Sequence, residues 1–393
     1  MQRKSESSKK YVFEVDESFR NQEKIHTEVF PTETYASRFI AEIIVNEMKL
    51  KNEKNEKFVL GLATGSSPVG VYDNLIHMHK KEGISFKNVI TFNLDEYYPM
   101  QPNDLHSYNR FMKEYLFDHI DIPKENINIP DGTVPLNKLT EYCQKYEDKI
   151  KANGGIDLQI LGLGRTGHIG FNEPGSAIDS RTRLVYLDTV TKIDAASSFF
   201  GLENVPRKAV TMGIGTILSA KKIVILAFSE GKRFVVKKAI EGEHNEEIPA
   251  TFLQKHPDAI CVIDKAAADL LLRYQAPWMV KGHREPLLFF DDYLKKKAVV
   301  WLSLRLKKPI SKLTDEDYEK NHLISLMEQE KGRVNDLNNF VLNSLKNTLT
   351  EYPSGKDTKK KILIFSPHPD DDVICMAGFL NIIFFFEIKL ILF

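Results

Sequence analysis

Lys57 to Lys81 reads "KFVLGLATGSSPVGVYDNLIHMHKK", and its interpretation decides the fold. The run Phe58–Ala63 is short and apolar, with charge before it and a glycine-containing turn after it, which suits a strand buried on both faces. Proline stands near the first turn of the next segment, Pro68–Lys81, and predicts a helix there. Between the two, "GLATGSSPVG" (Gly61–Gly70) is built of small residues. Small residues let backbone N–H groups and hydroxyls converge on an anion, and the following helix N-terminus adds partial positive charge. The turn lacks the Gly-Lys-Ser/Thr ending of a Walker loop and is not a dinucleotide fingerprint. Read alone, it serves equally as an ordinary capped turn.

The same grammar repeats outward from this unit. "TYASRFIAEIIVNEMK" before it is amphipathic at helical spacing, and "NVITFNL", "IDLQILGLG", "KKIVILAF" and "AICVID" after it read as further strands. Leu136, Leu139, Cys143, Tyr146 and Ile150 mark one helix face, and "GKRFVVKKAIEG" is a helix between the last two strands. Apolar strands alternating with helices predict an α/β fold, a Rossmann-like, mostly parallel sheet with helices on both faces. Ligands of such sheets bind at the carboxyl ends of the strands, so the residues after each strand carry the functional argument.

Four such positions hold polar chemistry. The first is the small-residue turn, Thr64, Gly65, Ser66 and Ser67. After the second strand, "NLDEYYP" places Asp95 and Glu96 side by side. A carboxylate there serves as a base if burial raises its pKa, and otherwise caps the next element. After the third strand, "GLGRTGHIGFNEPG" (Gly162–Gly175) brings His168 and Glu173 into one glycine-rich loop. A histidine titrates near neutrality and can move protons on and off a sugar oxygen. After the fourth strand, Lys232 in "FSEGKRF" is placed to meet a phosphate or carboxylate. Together these suit proton transfer on a phosphorylated sugar, with no organic cofactor or metal demanded.

Bulk properties set the outer bounds. The 393-residue chain is long for one core. Its 54 basic and 54 acidic residues balance, so no global field draws in nucleic acid or an anionic membrane. Cys143, Cys261 and Cys375 are too few and too scattered for a disulfide framework, which fits reduced thiols in a cytoplasmic protein. The first twenty residues lack the apolar core of a secretory signal.

Residues from about 30 to 275 resemble glucosamine-6-phosphate deaminase. "GLATGSSP", "NLDEYYP", "HSYNRFM", "FDHIDIPKENINIP", "GHIGFNEPGS", "SRTR" and "TMGIGTIL" occur in family order. The resemblance implies conversion of glucosamine 6-phosphate and water to fructose 6-phosphate and ammonia, in amino-sugar catabolism, without a cofactor. It also implies a homo-oligomer, a hexamer in many bacterial members. By the same resemblance Thr64, Gly65, Ser66, Ser67 and Lys232 hold the phosphate. Asp95 takes the C2 proton and returns one at C1, His168 opens the ring, and Glu173 is its partner carboxylate.

This chain departs from the family at two places. Where the family has Gly-Asn-Asp-Gly-His, it reads Gly164-Arg165-Thr166-Gly167-His168, so an aspartate is replaced by Thr166. The family's phosphate-binding arginine falls near Ser197 or Ser198, and Arg165 is expected to supply the guanidinium from another direction. Arg183 matches one residue of the family's allosteric site, whereas the lysine expected two positions on is Val185. Alternatives are a related sugar-phosphate isomerase or lactonase, against which "NLDEYYP" argues, and a hexosamine-phosphate sensor that has lost turnover through Thr166.

The expected organisation is a polar arm over 1–30, the deaminase-like domain over 31–275 and a helical linker region over 276–355, in which Val334, Leu337, Val341 and Leu345 line one face. "KILIFSPHPDDDV" then resembles the first motif of LmbE-like zinc N-deacetylases. That resemblance implies His368 and Asp371 as Zn²⁺ ligands and Asp370 as general base. Such a domain needs a further histidine much later in the chain, and two ligands alone do not hold zinc usefully. Residues 356–378 are therefore read as the stub of a deacetylase domain. Residues 379–393 read as an aberrant apolar tail. A membrane anchor is the rival reading there, opposed by Glu387 and Lys389.

Overall fold

The computed structural model describes residues 22–281, 289–350, 361–364 and 389–392. These fall into two compact units, one ending at Gln275 and the other beginning at Ala276.

The first unit is built on strands β1 (His26–Phe30), β2 (Phe58–Leu62), β3 (Val89–Asn93), β4 (Asp95–Tyr98), β5 (Ile127–Asn128), β6 (Leu158–Gly162), β7 (Arg183–Tyr186), β8 (Lys208–Thr211), β9 (Lys222–Ala227) and β10 (Ala259–Asp264). Its helices of eight or more residues are α1 (Glu33–Glu53), α2 (Val69–Glu82), α3 (Tyr108–Tyr115), α4 (Leu139–Ala152), α5 (Thr189–Ala196) and, after a single turn at Ile214–Ile217 (α6), α7 (Arg233–Glu241). Seven strands form one parallel sheet in the order β1-β10-β9-β6-β2-β3-β5. All five residues of β2 and of β3 are buried, as strands covered by helices on both faces must be. The apolar faces of α1 (Ile40, Ile44, Met48) and α2 (Val71, Tyr72, Leu75) belong to the same core as these strands. In α4 the expected face holds at Leu139, Cys143, Tyr146 and Ile150, whereas Leu136 lies one turn too early and is exposed.

Strand order reverses between β2 and β6. From β2 the sheet grows through β3 to β5 on one side, and from β6 through β9 and β10 to β1 on the other. The loops leaving these two adjacent strands diverge and open a crevice at their carboxyl ends. A smaller antiparallel sheet, β4-β8-β7, adjoins that edge. The chain passes from one sheet to the other at Leu94, which donates to Leu62 of β2 and accepts from Met212 just after β8 (3.0 and 2.7 Å). Asp95 is the first residue beyond that corner.

The polar arm expected over 1–30 is corrected in its last part. His26–Phe30 forms the edge strand of the main sheet, in register with Ile260–Asp264. "HTEVF" contains no apolar run, which hides it in the sequence. Its backbone pairs on one side only, and Ile25 and Thr27 turn inward. Arg273 further ties this segment down through Glu23 at 2.9 Å. Residues 1–21 lie outside the described residues.

The second unit is helical where it is described up to Thr350: α8 (Lys265–Ala268) and α9 (Leu272–Gln275) close the first unit, and α10 (Pro277–Lys281), α11 (Asp292–Leu306), α12 (Asp315–Glu319), α13 (Ile324–Gln329) and α14 (Val334–Thr350) follow. Trp278 is buried against Phe290 and Trp301. Tyr318 donates to Asn338 at 2.7 Å inside this core. Val334, Leu337 and Val341 are buried as their spacing predicts, but Leu345 is largely exposed near the helix end. Beyond it, β11 (Lys361–Ile364) pairs in parallel with β12 (Lys389–Leu392). Of the expected apolar tail over 379–393, only Lys389–Leu392 is among the described residues, and it forms that strand. His368, Asp370 and Asp371, and with them the zinc expectation, lie outside the described residues. No described helix is long and apolar enough to cross a membrane.

Candidate active site

The crevice at the strand-order reversal holds a cleft of about 200 Å³, lined by the Ala63–Ser67 turn, Leu94, Asp95, Tyr108, the Gly162–Gly164 segment, His168, Gly170, Phe171 and Lys232. Residues from four separate strand ends, predicted to share an edge, thus line one cavity.

The turn after β2 is held by the helix it starts. Tyr72 of α2 donates its hydroxyl to the carbonyl of Ala63. Gly65 takes φ +101°, a conformation that side-chain-bearing residues rarely adopt. None of the described residues accepts from the backbone N–H of Gly65, Ser66 or Ser67, and these three residues line the cleft just before the N-terminus of α2. That is the geometry of an anion cradle. Lys232, in the short turn before α7, reaches in from the far side. Its ammonium donates to the carbonyl of Leu163 at 2.7 Å. Burial lowers its pKa, Asp194 opposes the shift and Arg165 adds to it. Those effects leave a cation whose desolvation an anionic ligand would offset.

Asp95 and Glu96 divide the two roles that the acidic pair left open. Glu96 is the cap. Its carboxylate accepts from Ser107 Oγ and from the N–H groups of Tyr97, Tyr108 and Asn109, at 2.8 to 3.0 Å, and so finishes the start of α3. Burial still raises its pKa, against those four bonds. The Asp95 carboxylate accepts no hydrogen bond from the described residues, and the residue is only 5 % exposed. Burial, and secondarily the charge of Glu96, pushes its pKa up to about 8. A dry carboxylate without donors is a strong base once ionised.

His168 is built the opposite way. Its Nδ1 lies 2.8 Å from Thr166 Oγ1 and 3.3 Å from both Thr191 Oγ1 and Glu173 Oε2. The face of the ring at its Nε2 side lies over Gly164, where a Cβ would stand 2.0 Å from Nε2. Only glycine permits that approach. Burial tends to raise the Glu173 pKa, but His168, the Thr191 hydroxyl and the Asp188 N–H outweigh it, and the net shift is downward.

Arg165, expected to turn toward the phosphate, is directed elsewhere. Its guanidinium pairs with Asp194 at 2.8 Å, largely in solvent, and lines a separate cleft of about 500 Å³ with Thr166, Lys238 and His244. Standing between Gly164 and Thr166 on an outward turn, its side chain leaves the sheet edge. Ser197 and Ser198 are exposed at the end of α5 and do not line the cleft. Tyr108 of the cleft wall and Thr191 beside His168 were not singled out in the sequence. Tyr108 lies within the family-like segment "HSYNRFM", which is the signal that would have found it. Its ring packs against Tyr97 and Phe171 at the cleft wall. Thr191, beside His168, stands 23 positions further along the chain, in a segment with no motif. Among the described residues no group of three or more His, Cys, Asp or Glu is arranged to hold a metal ion.

Fold and cleft together define a doubly wound α/β protein with its ligand site at the topological switch point. Residues 31–261 match the Glucosamine-6-phosphate isomerases/6-phosphogluconolactonase family, and the chain belongs to that family. It is 50 % identical over 236 residues to the glucosamine-6-phosphate deaminase of Thermoanaerobacter pseudethanolicus, covering 60 % of this chain and 90 % of that protein. A glucosamine-6-phosphate deaminase-like protein of Bacteroides thetaiotaomicron is 42 % identical over 372 residues, or 91 % of this chain; the chain spans 55 % of that protein's length. The solved structure of a monomeric glucosamine-6-phosphate deaminase superposes with a TM-score of 0.60 at 40 % identity, over 63 % of this chain and all of that one. A 6-phosphogluconolactonase from Trypanosoma brucei, at 19 % identity and a TM-score of 0.53 over 63 % of this chain and 99 % of that one, shares the fold.

Proposed function

We propose that the chain is a glucosamine-6-phosphate deaminase, converting glucosamine 6-phosphate and water to fructose 6-phosphate and ammonia. The observation that carries the reading is Asp95: a buried carboxylate, free of donors, in the same cleft as an open row of backbone N–H groups.

The phosphate sits on the Thr64–Ser67 turn, with Lys232 as counter-charge. Holding the sugar by its anionic end, away from the reacting carbons, supplies orientation to the chemical steps. His168 takes the proton of the C1 hydroxyl and delivers it to the ring oxygen, which breaks the C1–O5 bond and yields the aldehyde. The new carbonyl acidifies the C2 proton. Asp95 removes that proton to give an enolamine and returns one at C1, leaving an imine at C2. Water adds at C2 and ammonia leaves. Glu173, ionised and beside His168, supports the positive charge that the imidazole gains in the first step.

A second reading, a sensor that binds the same sugar without turning it over, draws on Thr166 standing at His168 where the family resemblance implies an aspartate. A coupled assay for ammonia and fructose 6-phosphate across hexosamine phosphates separates the two. Turnover of glucosamine 6-phosphate is expected, and binding without product would give the sensor. Free, buried Cys143 and Cys261 suit a reducing compartment, and a cytoplasmic location goes with the proposal. The homo-oligomer that the resemblance implies has a counter-example in the monomeric relative. Sedimentation velocity on the full chain distinguishes hexamer from monomer.

A further inference from the structure

We infer that Thr166 and Thr191 are positioning residues for His168: their hydroxyls and Glu173 hold the proton on Nδ1 and leave the Nε2 lone pair free at the cleft. The inference deepens the deaminase reading and rests on it for its kinetic consequence.

Three oxygens surround one ring nitrogen. Thr166 Oγ1 is nearest at 2.8 Å, with Thr191 Oγ1 and Glu173 Oε2 each at 3.3 Å. An ionised carboxylate only accepts hydrogen bonds, and the Glu173 pKa is lowered, so Oε2 offers nothing to an unprotonated Nδ1. A hydroxyl both donates and accepts. Thr191 is buried beside both the ring and the Glu173 carboxylate, whose pKa it helps to lower and whose buried Oε2 has no hydrogen-bond partner among the described residues, so its hydroxyl can turn its hydrogen to the carboxylate while accepting from Nδ1–H. Thr166 accepts the same proton from the other side. All three contacts are satisfied together only with the proton on Nδ1. In the neutral ring Nε2 is then an acceptor, the state required to take the C1 hydroxyl proton. After that transfer the imidazolium keeps Nδ1–H on the same three oxygens, so the ring need not turn before Nε2–H is given to O5. The two hydroxyls also share the role that one carboxylate would play at position 166, without adding a second negative charge beside Glu173.

The test uses the full chain. Thr166→Val removes the hydroxyl and keeps the shape, Thr166→Ser restores it, and Thr191→Val removes the second contact. Nitrogen-15 NMR of the imidazole reads the tautomer of His168 in each protein, assigned against His168→Gln. The wild type is expected to show Nδ1 protonated and Nε2 bare, and Thr166→Val and Thr191→Val a mixture of tautomers. Turnover of glucosamine 6-phosphate is expected to fall about tenfold in each valine variant, with KM within about twofold, and to recover in Thr166→Ser. A wild-type ring protonated on Nε2, or valine variants with unchanged tautomer and turnover, would overturn the inference. Absence of turnover in wild type sinks the deaminase reading instead, and the tautomer measurement then still decides the positioning claim.

Discussion

Asp95 and His168 line one cleft, yet their surroundings are opposites. At the corner between β3 and β4, a carboxylate is buried without a hydrogen bond from the described residues, while its neighbour Glu96 accepts four. In the loop after β6, a ring nitrogen is met by three oxygens and the ring face is packed on a glycine. A group that must bind a carbon-bound proton gains from being left unsatisfied, since every donor would weaken it as a base. A group that must pass a proton between two oxygens of a bound sugar gains from a fixed tautomer and a fixed plane.

The contrast can be broken first at Asp95. Asp95→Asn is expected to lower kcat about a thousandfold, within the usual range for loss of a general base, with KM little changed. Steady-state kinetics on folded protein check this. At the other corner, Gly164→Ala forces a methyl into the His168 ring, since Cβ would lie 2.0 Å from Nε2. A displaced imidazole is expected to cost about a hundredfold in turnover, and Gly164→Ser no less. Lys232→Met tests the anion grip that both corners depend on. KM for the phosphorylated sugar is expected to rise about tenfold or more, with a smaller change in kcat.

A milder test reads the carboxylate through pH. Asp95 must be ionised to act, and its pKa in the free protein is pushed up to about 8. The value of kcat/KM is therefore expected to rise with pH, about tenfold per unit well below 8, and to level off above it. The same shift bears on stability. A carboxyl raised from 3.8 to about 8 on folding favours the native state fully below 3.8, and that contribution is lost as pH climbs through 8. Asp95→Asn does not titrate. Its melting temperature is expected to match wild type near pH 4 and to exceed it by a few degrees at pH 8 and above, at roughly 2–4 °C per kcal/mol. Glu96→Gln should move the other way at neutral pH, because it weakens the acceptor of two backbone N–H groups at the start of α3 and of the Tyr97 N–H in β4. Thermal scans across pH decide both.

Much of the fold and the make-up of the cleft was legible in the sequence. Strands β2, β3, β6, β9 and β10 announce themselves as apolar runs because both of their faces are buried. β1, β4, β7 and β8 do not, since an edge strand or a small antiparallel sheet carries residues such as those of "HTEVF" and "DEYY", in which polar and charged side chains interrupt the pattern. The rule that ligands gather at strand carboxyl ends placed Thr64–Ser67, Asp95, His168 and Lys232 on one edge, and one cleft contains them. Which acid of the pair caps and which stays free depended on where α3 begins relative to Glu96, a distance of eleven residues or more along the chain. Arg165 was misdirected because a residue on an outward turn answers to its nearest opposite charge, Asp194, and the sequence does not show that neighbour. Thr191 carries no motif at all, and only the packing of α5 on the glycine-rich loop brings its hydroxyl to His168.

The central claim is that Asp95 takes the proton from C2, and glucosamine 6-phosphate deuterated at C2 tests it most directly. Followed by proton NMR in ordinary water, the wild type should lose the C2 label, to C1 or to solvent, as ammonia is released, while Asp95→Asn should leave the label in place on sugar that still binds. Loss of the label at the same rate from both proteins would contradict the account.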